Sequence, residues 1–313
     1  MITLTQLEYI LAVDTYRHFV TASEKCFVTQ PTLSMQIKKL EEDLGVTIFD
    51  RTKQPIIPTE IGKKILEQAS ITLAESKRIE EIVSDHSNSV SGEISIGIIP
   101  SLAPYLLPLF IGKFTKKYPD VHVKVTELLT EEIIDHLKKD LIDVGLLVTP
   151  LYEKGIIEQT LFYEELMLFS NKNHELSRKP SIKTTDLASP DLWLLSNGHC
   201  FRSQVINLCS YKTGLKENVH FEYASGSLET IKKIVELEGG FTLLPELAVS
   251  EGVEANKTVT RQIGEVHPLR QVGFAYSRNY SKKRLLDLLS EEIVASVPKK
   301  MLDADRGQVV EWR

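Results

Sequence analysis

The sequence predicts two kinds of domain in one chain. A short all-α helix-turn-helix segment with a small wing and a long helix comes first, and an α/β domain with a mostly parallel sheet follows. Three observations carry this. Up to about residue 86, apolar residues recur three or four apart, the helical period. From Glu93 onward, apolar runs of strand length alternate with helical stretches, the pattern of sheet-and-crossover folds. Between them, the polar run Ser84-Asp85-His86-Ser87-Asn88-Ser89, with Ser91-Gly92, has the composition of a linker. A chain of 313 residues also exceeds one ordinary core.

Thr5-Gln6-Leu7-Glu8 has the form of a capping box, with Leu7, Ile10 and Leu11 on the face behind it. Phe19, Ala22 and Cys26 mark a short second helix, with Cys26 on its core face. Thr29 is placed to cap a third, with Pro31 in the first turn, where a missing N–H does no harm. Leu33, Ile37, Leu40 and Leu44 form its buried stripe and Gly45 ends it. Two short helices around a tight turn, the second polar on its outer face, make a helix-turn-helix. Ile48-Phe49 and Pro55-Ile56-Ile57, flanking residues 50–54, fit a small wing. Thr59 then caps a helix reaching about His86, ~40 Å long at ~1.5 Å per residue. Its stripe of Ile61, Ile65, Ala69, Leu73, Ile79 and Val83 has no nearby globular sequence to cover it, so packing on a second copy is expected.

In the α/β part, strands are expected at 94–98, 121–125, 144–147, 166–169, 192–195, 241–244 and 272–276. Helices are expected near 102–117, 131–139, 201–208 and 228–237, and a loose tail from about Pro298. Ligands of such sheets bind beyond the carboxyl ends of strands, at helix N-termini. Pro100-Ser101, Leu129-Thr130 and His199-Cys200 fall at such places.

A net charge of −6 argues against a general polyanion binder, but leaves room for a local basic face. The longest apolar runs are far too short to span a membrane. Residues 1–6 carry no basic, apolar export signal, so a cytosolic location is expected. In a reducing cytosol, two of only three cysteines placed close together are more often redox-active or metal-binding than structural. Cys200 follows His199 at an expected helix start, where the helix dipole and an imidazolium both favour thiolate. Cys209 lies nine residues on. Two inert buried cysteines are the competing reading. A metal site is a poorer one, because His199, Cys200 and Cys209 make an incomplete tetrahedral set.

Base edges call for short polar groups, which Gln30, Thr32, Ser34 and Gln36 supply, while Lys38, Lys39 and Arg51 are suited to phosphates. Residues 1–60 are nonetheless slightly acidic, with six Lys/Arg against eight Asp/Glu. Residues 19–60 resemble the winged helix-turn-helix of LysR-type transcriptional regulators. The resemblance rests on Ala22, Val28-Thr29-Gln30-Pro31-Thr32-Leu33-Ser34, Ile37-Lys38-Lys39-Leu40-Glu41, Leu44-Gly45 and Phe49-Asp50-Arg51-Thr52, and it continues to about residue 296. It implies DNA contacts by Gln30, Pro31, Thr32, Ser34 and Arg51, to which Lys38 is added as a phosphate contact. Met35 stands where many relatives carry Arg, which puts one contact in doubt. It also implies a dimer of dimers built on the linker helix, and a periplasmic-binding-protein-like effector domain of two Rossmann-like subdomains. The implied divisions are 1–58 for the DNA-binding domain, 59–90 for the linker helix, 91–297 for the effector domain and 298–313 for the tail. Within the effector domain, subdomain I takes about 91–163 and 269–297, and subdomain II about 164–268.

Gly198-His199-Cys200-Phe201-Arg202, Cys209, Ile99-Pro100-Ser101, Pro104-Tyr105-Leu106-Leu107-Pro108, Ser227-Leu228-Glu229-Thr230 and Thr242-Leu243-Leu244-Pro245 are similar to the hydrogen-peroxide sensors of that family. The resemblance makes Cys200 the peroxidatic and Cys209 the resolving cysteine of a reversible disulfide. That disulfide would switch the tetramer and the transcription of antioxidant genes. Ser101, Thr130, His199 and Arg270 would surround the peroxide. Partners implied are operator DNA, hydrogen peroxide, further copies of the chain, RNA polymerase and a thiol reductant such as glutaredoxin or thioredoxin. No cofactor, metal or membrane is implied, and a regulator rather than an enzyme is expected. The chemistry fits: hydroxyls donate and accept, as peroxide requires, and Arg270 or a protonated His199 can stabilise the leaving oxygen. Each residue has a plainer rival: Ser101 and Thr130 as helix caps, His199 as a loop residue, Arg270 at a solvated strand start. A regulator binding a small organic effector is the alternative reading. Ser101 and Ser203 replace the Thr and Asp common in such sensors.

Overall fold

The computed structural model describes residues 1–86, 90–209, 226–249, 257–264, 266–277 and 282–313. Residues 87–89 of the expected linker, and the Val83 side chain, lie outside them. Two compact units result, divided near Val90.

The first unit holds α1 (Leu4–Tyr16), α2 (Phe19–Lys25), α3 (Gln30–Leu44), the two-stranded wing β1 (Phe49–Asp50) and β2 (Ile57–Pro58), and α4 (Glu60–His86). One core joins Leu7, Ile10 and Val13 of α1, Ala22, the α3 stripe Leu33, Ile37 and Leu40, and Ile48 and Phe49. The capping box lies two residues earlier than expected: Thr3 accepts from Gln6 N, and Gln6 Oε1 accepts from Thr3 N, so Thr5 is inside the helix. Thr29 caps α3, and Gly45 ends it with φ +66, a left-handed turn that suits glycine. Thr59 caps α4 through Gly62 N at 2.9 Å. Gly62 must be glycine, since a Cβ there would lie 2.1 Å from Ile48 O.

The α4 stripe is not left bare. Leu66 and Ala69 are buried in the chain's own N-terminal core, and Ile65 and Leu73 pack against it. Ile61 and Ile79 remain exposed. The sequence pattern could not reveal this cover because α1 lies some 60 residues upstream.

The second unit holds β3 (Gly92–Ile98), α5 (Ala103–Lys117), β4 (Val121–Glu127), α6 (Thr130–Lys138), β5 (Val144–Thr149), β6 (Ile156–Asn171) and α7 (Glu175–Arg178). Then come α8 (Cys200–Cys209), α9 (Leu228–Glu238), β7 (Phe241–Pro245), α10 (Glu246–Val249), β8 (Thr258–Arg261), β9 (Pro268–Ser277), α11 (Lys283–Ser296) and β10 (Gln308–Val309). The sheet order is β4-β3-β5-β9-β6-β7, with β8 on β6 and β10 on β9. It is mixed rather than mostly parallel. β3 pairs parallel with β4 and β5, but β9 inserts antiparallel between β5 and β6, and β6 runs antiparallel to β7 and β8. Strand direction depends on chain that returns from over a hundred residues away, which local alternation does not encode. Residues 192–195 form no strand beyond a single bridge from Leu192 to Phe241.

The tail from Pro298 is not loose. Met301 and Trp312 are buried, β10 pairs parallel with Pro268 and Leu269, and Arg306 binds Glu246. Its order comes from contacts with distant strands, not from local periodicity. Among the described residues, no helix is long and apolar enough to cross a membrane.

Candidate functional site

Gly198, at φ +94, turns the chain into α8, so that Cys200 opens the helix as its first residue. Cys200 and Cys209 are both buried thiols. Burial raises the Cys200 pKa; the Thr130 hydroxyl, the Arg270 charge and the helix-start amides of Phe201 and Cys200 pull the other way. Burial is the larger effect, so the helix start favours thiolate as expected but against a desolvation that holds the thiol above its ordinary range. His199 is also buried, and burial lowers its pKa, which disfavours the expected imidazolium. Burial pushes Cys209 up to about 12.

The four expected peroxide-site residues are all buried, and three of their plainer rivals fail, those for Ser101, Thr130 and Arg270. Ser101 caps nothing, since α5 starts at Ala103 with no side-chain cap. Its hydroxyl instead accepts from Arg270 Nη1 at 3.0 Å, and its carbonyl from Arg270 Nη2 at 3.2 Å. Thr130 is the first residue of α6, not its cap; the Glu132 carboxylate takes Leu129 N at 2.8 Å. Thr130 Oγ1 is buried without a full hydrogen bond and lies beside the Cys200 sulfur. Arg270 is 0 % exposed, so it solvates nothing. Its Nε donates to Glu164 Oε2 at 2.7 Å, and its guanidinium lies 5.6 Å from the centre of the Phe201 ring.

Three residues that sequence reasoning passed over complete the cluster. Glu164, also 0 % exposed, fixes Arg270 and accepts from Leu247 N at 3.0 Å. A glutamate inside the apolar strand 161–169 was a signal that a buried cation exists, though not which one. Gly226 seats the His199 ring, since a Cβ there would lie 2.9 Å from its Cε1 and Nε2. Gln204, fully buried one turn after Cys200, donates to Val310 O at 2.9 Å, while its Oε1 has no partner. An open cleft of about 280 Å³ is lined by Pro100, Pro104, Glu127, Gly226, Ser227 and Glu229, among others.

In the first unit, α3 exposes Gln30, Pro31, Met35, Lys38 and Lys39, with Thr32, Ser34 and Gln36 half-buried. Gln36 accepts from Gln6 Nε2 at 3.4 Å, and Thr32 bonds Thr29 through its hydroxyl. Lys38 pairs with Glu42 at 3.6 Å, and Arg51 with Glu41 at 2.8 Å while lying over Phe19. Glutamates thus hold both cations in place on an otherwise mildly acidic domain.

Residues 4–63 match the family model described as "Bacterial regulatory helix-turn-helix protein, lysR family", and residues 87–297 match the "LysR substrate binding domain". The "Hydrogen peroxide-inducible genes activator" of Haemophilus influenzae is 34% identical over 246 residues, 79% of this chain and 81% of that protein. The "DNA-binding transcriptional dual regulator OxyR" of Escherichia coli is 33% identical over 292 residues, covering 93% and 95%. A full-length OxyR cysteine variant from Pseudomonas aeruginosa superposes with a TM-score of 0.77 at 31% identity, over 95% of this chain and 99% of that one. An H2O2-bound OxyR cysteine variant from Corynebacterium glutamicum gives 0.62 at 27%, over 94% and 92%.

Proposed function

The chain belongs to the LysR family of bacterial helix-turn-helix regulators, in its OxyR branch, and on that premise we propose that it senses hydrogen peroxide through reversible oxidation of Cys200 and Cys209. It is a peroxide-responsive DNA-binding transcriptional regulator. What supports the chemical reading is the enclosed set of Ser101, Thr130, His199 and Arg270 around a helix-opening cysteine, with one hydroxyl left unpaired beside the sulfur. Peroxide, small and neutral, needs groups that both donate and accept, and the Thr130 hydroxyl beside the sulfur is such a group. The Cys200 sulfur attacks one peroxide oxygen: the S–O bond forms, the O–O bond breaks, and the leaving oxygen departs as water with the thiol proton. Arg270 stabilises the charge that develops on that oxygen. The Cys209 sulfur then displaces the sulfenic oxygen as a second water, leaving a disulfide.

Along a helix rising ~1.5 Å per residue, Cys200 and Cys209 lie ~13 Å apart at their Cα atoms, against the roughly 4.4–6.8 Å that a disulfide needs. Closure therefore unwinds α8, and this refolding is the two-state element that reaches the DNA-binding domains of an assembled dimer of dimers. RNA polymerase reads the change, and a glutaredoxin- or thioredoxin-type thiol reverses it.

A substoichiometric peroxide pulse followed by mass spectrometry should show one oxygen added at Cys200 and then a disulfide to Cys209. Oxidation elsewhere with Cys200 intact would sink the reading. Thr130→Val should slow the first step about tenfold, the worth of one hydrogen bond made to peroxide and lost at constant volume; an unchanged rate by stopped flow would remove Thr130 from the site. Gln30→Ala should weaken operator binding and leave oxidation intact, with an affinity that falls steeply in salt. Because Ile65 serves its own domain's core, Ile79→Glu is the cleaner probe of the α4 dimer contact. A lower mass by light scattering is expected. The cleft beside Gly226 supports a second reading, an organic effector; titration with small organic acids that shifted operator binding in Cys200→Ser would favour it.

A further inference from the structure

Residues 299–313 cross the effector domain as a strap, and α8 is tied to it at two points. Gln204 Nε2 donates to Val310 O at 2.9 Å, and Asn207 Nδ2 donates to Glu311 O at 3.0 Å. Three residues apart, these side chains share the face of α8 between the two cysteines. The strap is fastened elsewhere along its length. Val310 N donates to Leu269 O at 2.8 Å, continuing the β10–β9 pairing. Trp312 is buried and donates to Pro150 O at 3.2 Å, and Arg313 binds Leu151 O, Glu153 and Glu131. At the other end, Lys300 and Arg306 both bind Glu246.

We infer that the C-terminal strap is a latch on α8 that sets the rate of disulfide closure and not the rate of peroxide attack. The inference rests on the redox reading of Cys200 and Cys209. Attack takes place at the first residue of α8 and requires no unwinding. Closure is different. For the Cys209 sulfur to reach Cys200, the intervening turns must open, and Gln204 and Asn207 must leave carbonyls that cannot follow, because the strap is anchored on β9, on Pro150 and on Glu246. In that step the S–S bond forms, the Cys200 S–O bond breaks, and hydroxide leaves with the Cys209 proton as water. Gln204 and Asn207 are thus positioning residues for the resolving step.

The test uses the full chain, pulsed with hydrogen peroxide at concentrations where attack outruns closure, then quenched with separate traps for thiol and sulfenic acid. Asn207→Ser removes one tie without the gain in helix propensity that Ala would bring. Trp312→Ala loosens the strap without touching α8, and truncation after Gly307 removes both ties. Sulfenic acid at Cys200 should form at the parent rate in all three. Disulfide should close about five-fold faster in Asn207→Ser, the factor that ~1 kcal/mol per net hydrogen bond gives, and faster still in the truncated chain. Against a glutathione buffer, the Asn207→Ser equilibrium should move about five-fold toward disulfide. Unchanged closure and equilibrium in Asn207→Ser would overturn the latch, as would attack and closure changing together. A parent protein that forms no sulfenic acid at Cys200 would instead bring down the redox reading itself, and the latch with it.

Discussion

Cys200→Ser should reduce oxidation by hydrogen peroxide to background, whereas Cys209→Ser should still react and stop at the sulfenic acid. A serine hydroxyl stays protonated at neutral pH and cannot replace the sulfur nucleophile. Without Cys209, the Cys200 sulfenic acid has no resolving partner and is open to over-oxidation to the sulfinic acid. Stopped-flow kinetics with a sulfenic-acid trap measures both. If Cys209→Ser were inert and Cys200→Ser normal, the two roles would be exchanged. The parent rate should also depend on pH in a set direction. Because burial holds the Cys200 thiol above its ordinary range, the thiolate is the minor form near neutrality. Its fraction, and with it the attack rate, should climb about tenfold per pH unit while the thiol predominates. A rate that is flat from neutral pH upward would mean that the thiolate is already formed.

Arg270→Ala should be the most damaging single change in the effector domain. It removes the group proposed to stabilise the leaving oxygen and also strands Glu164 as a buried, unpaired charge, with both groups 0 % exposed. Breaking such a pair on one side costs about 3–5 kcal/mol, which for a domain of this size lowers Tm by roughly 10 °C. The double variant Arg270→Met, Glu164→Gln separates the two effects. Gln still accepts from Leu247 N, and no lone charge remains, so much of the stability should return while peroxide reactivity stays low. Calorimetry and stopped flow on the same samples check this. Recovery of both together would make Arg270 structural only.

Reading the sequence went furthest where structure is local. Thr29, Pro31 and Gly45 start and end α3 by chemistry confined to a few neighbouring residues, its stripe lies at the expected spacing, and α5 and α9 fall where helices are expected. The Cys200 helix start was legible for the same reason, since Gly198 breaks the chain immediately before it. Errors of one or two residues, as at Thr3 against Thr5, arose where two threonines compete for one cap. The helix α11 went unread although Leu285, Leu286, Leu289 and Ile293 carry its period.

The order of dominance at the site was decided by packing at long range. That Cys200 opens a helix is local, but the sign of its pKa shift is set by how completely distant parts of the chain exclude water around it. The same desolvation makes His199 a neutral neighbour, and it makes Arg270 need Glu164, a residue 106 positions away. Pairing with Leu269, the carbonyls offered to Gln204 and Asn207, and anchors at Pro150 and Glu246 turn a tail without pattern into a strap. The sequence by itself determined which groups could carry the chemistry, because side-chain identity and helix starts are local properties. The tertiary structure alone decided their charge, partners and restraint, because dielectric exclusion and strand pairing depend on chain that lies far away in sequence.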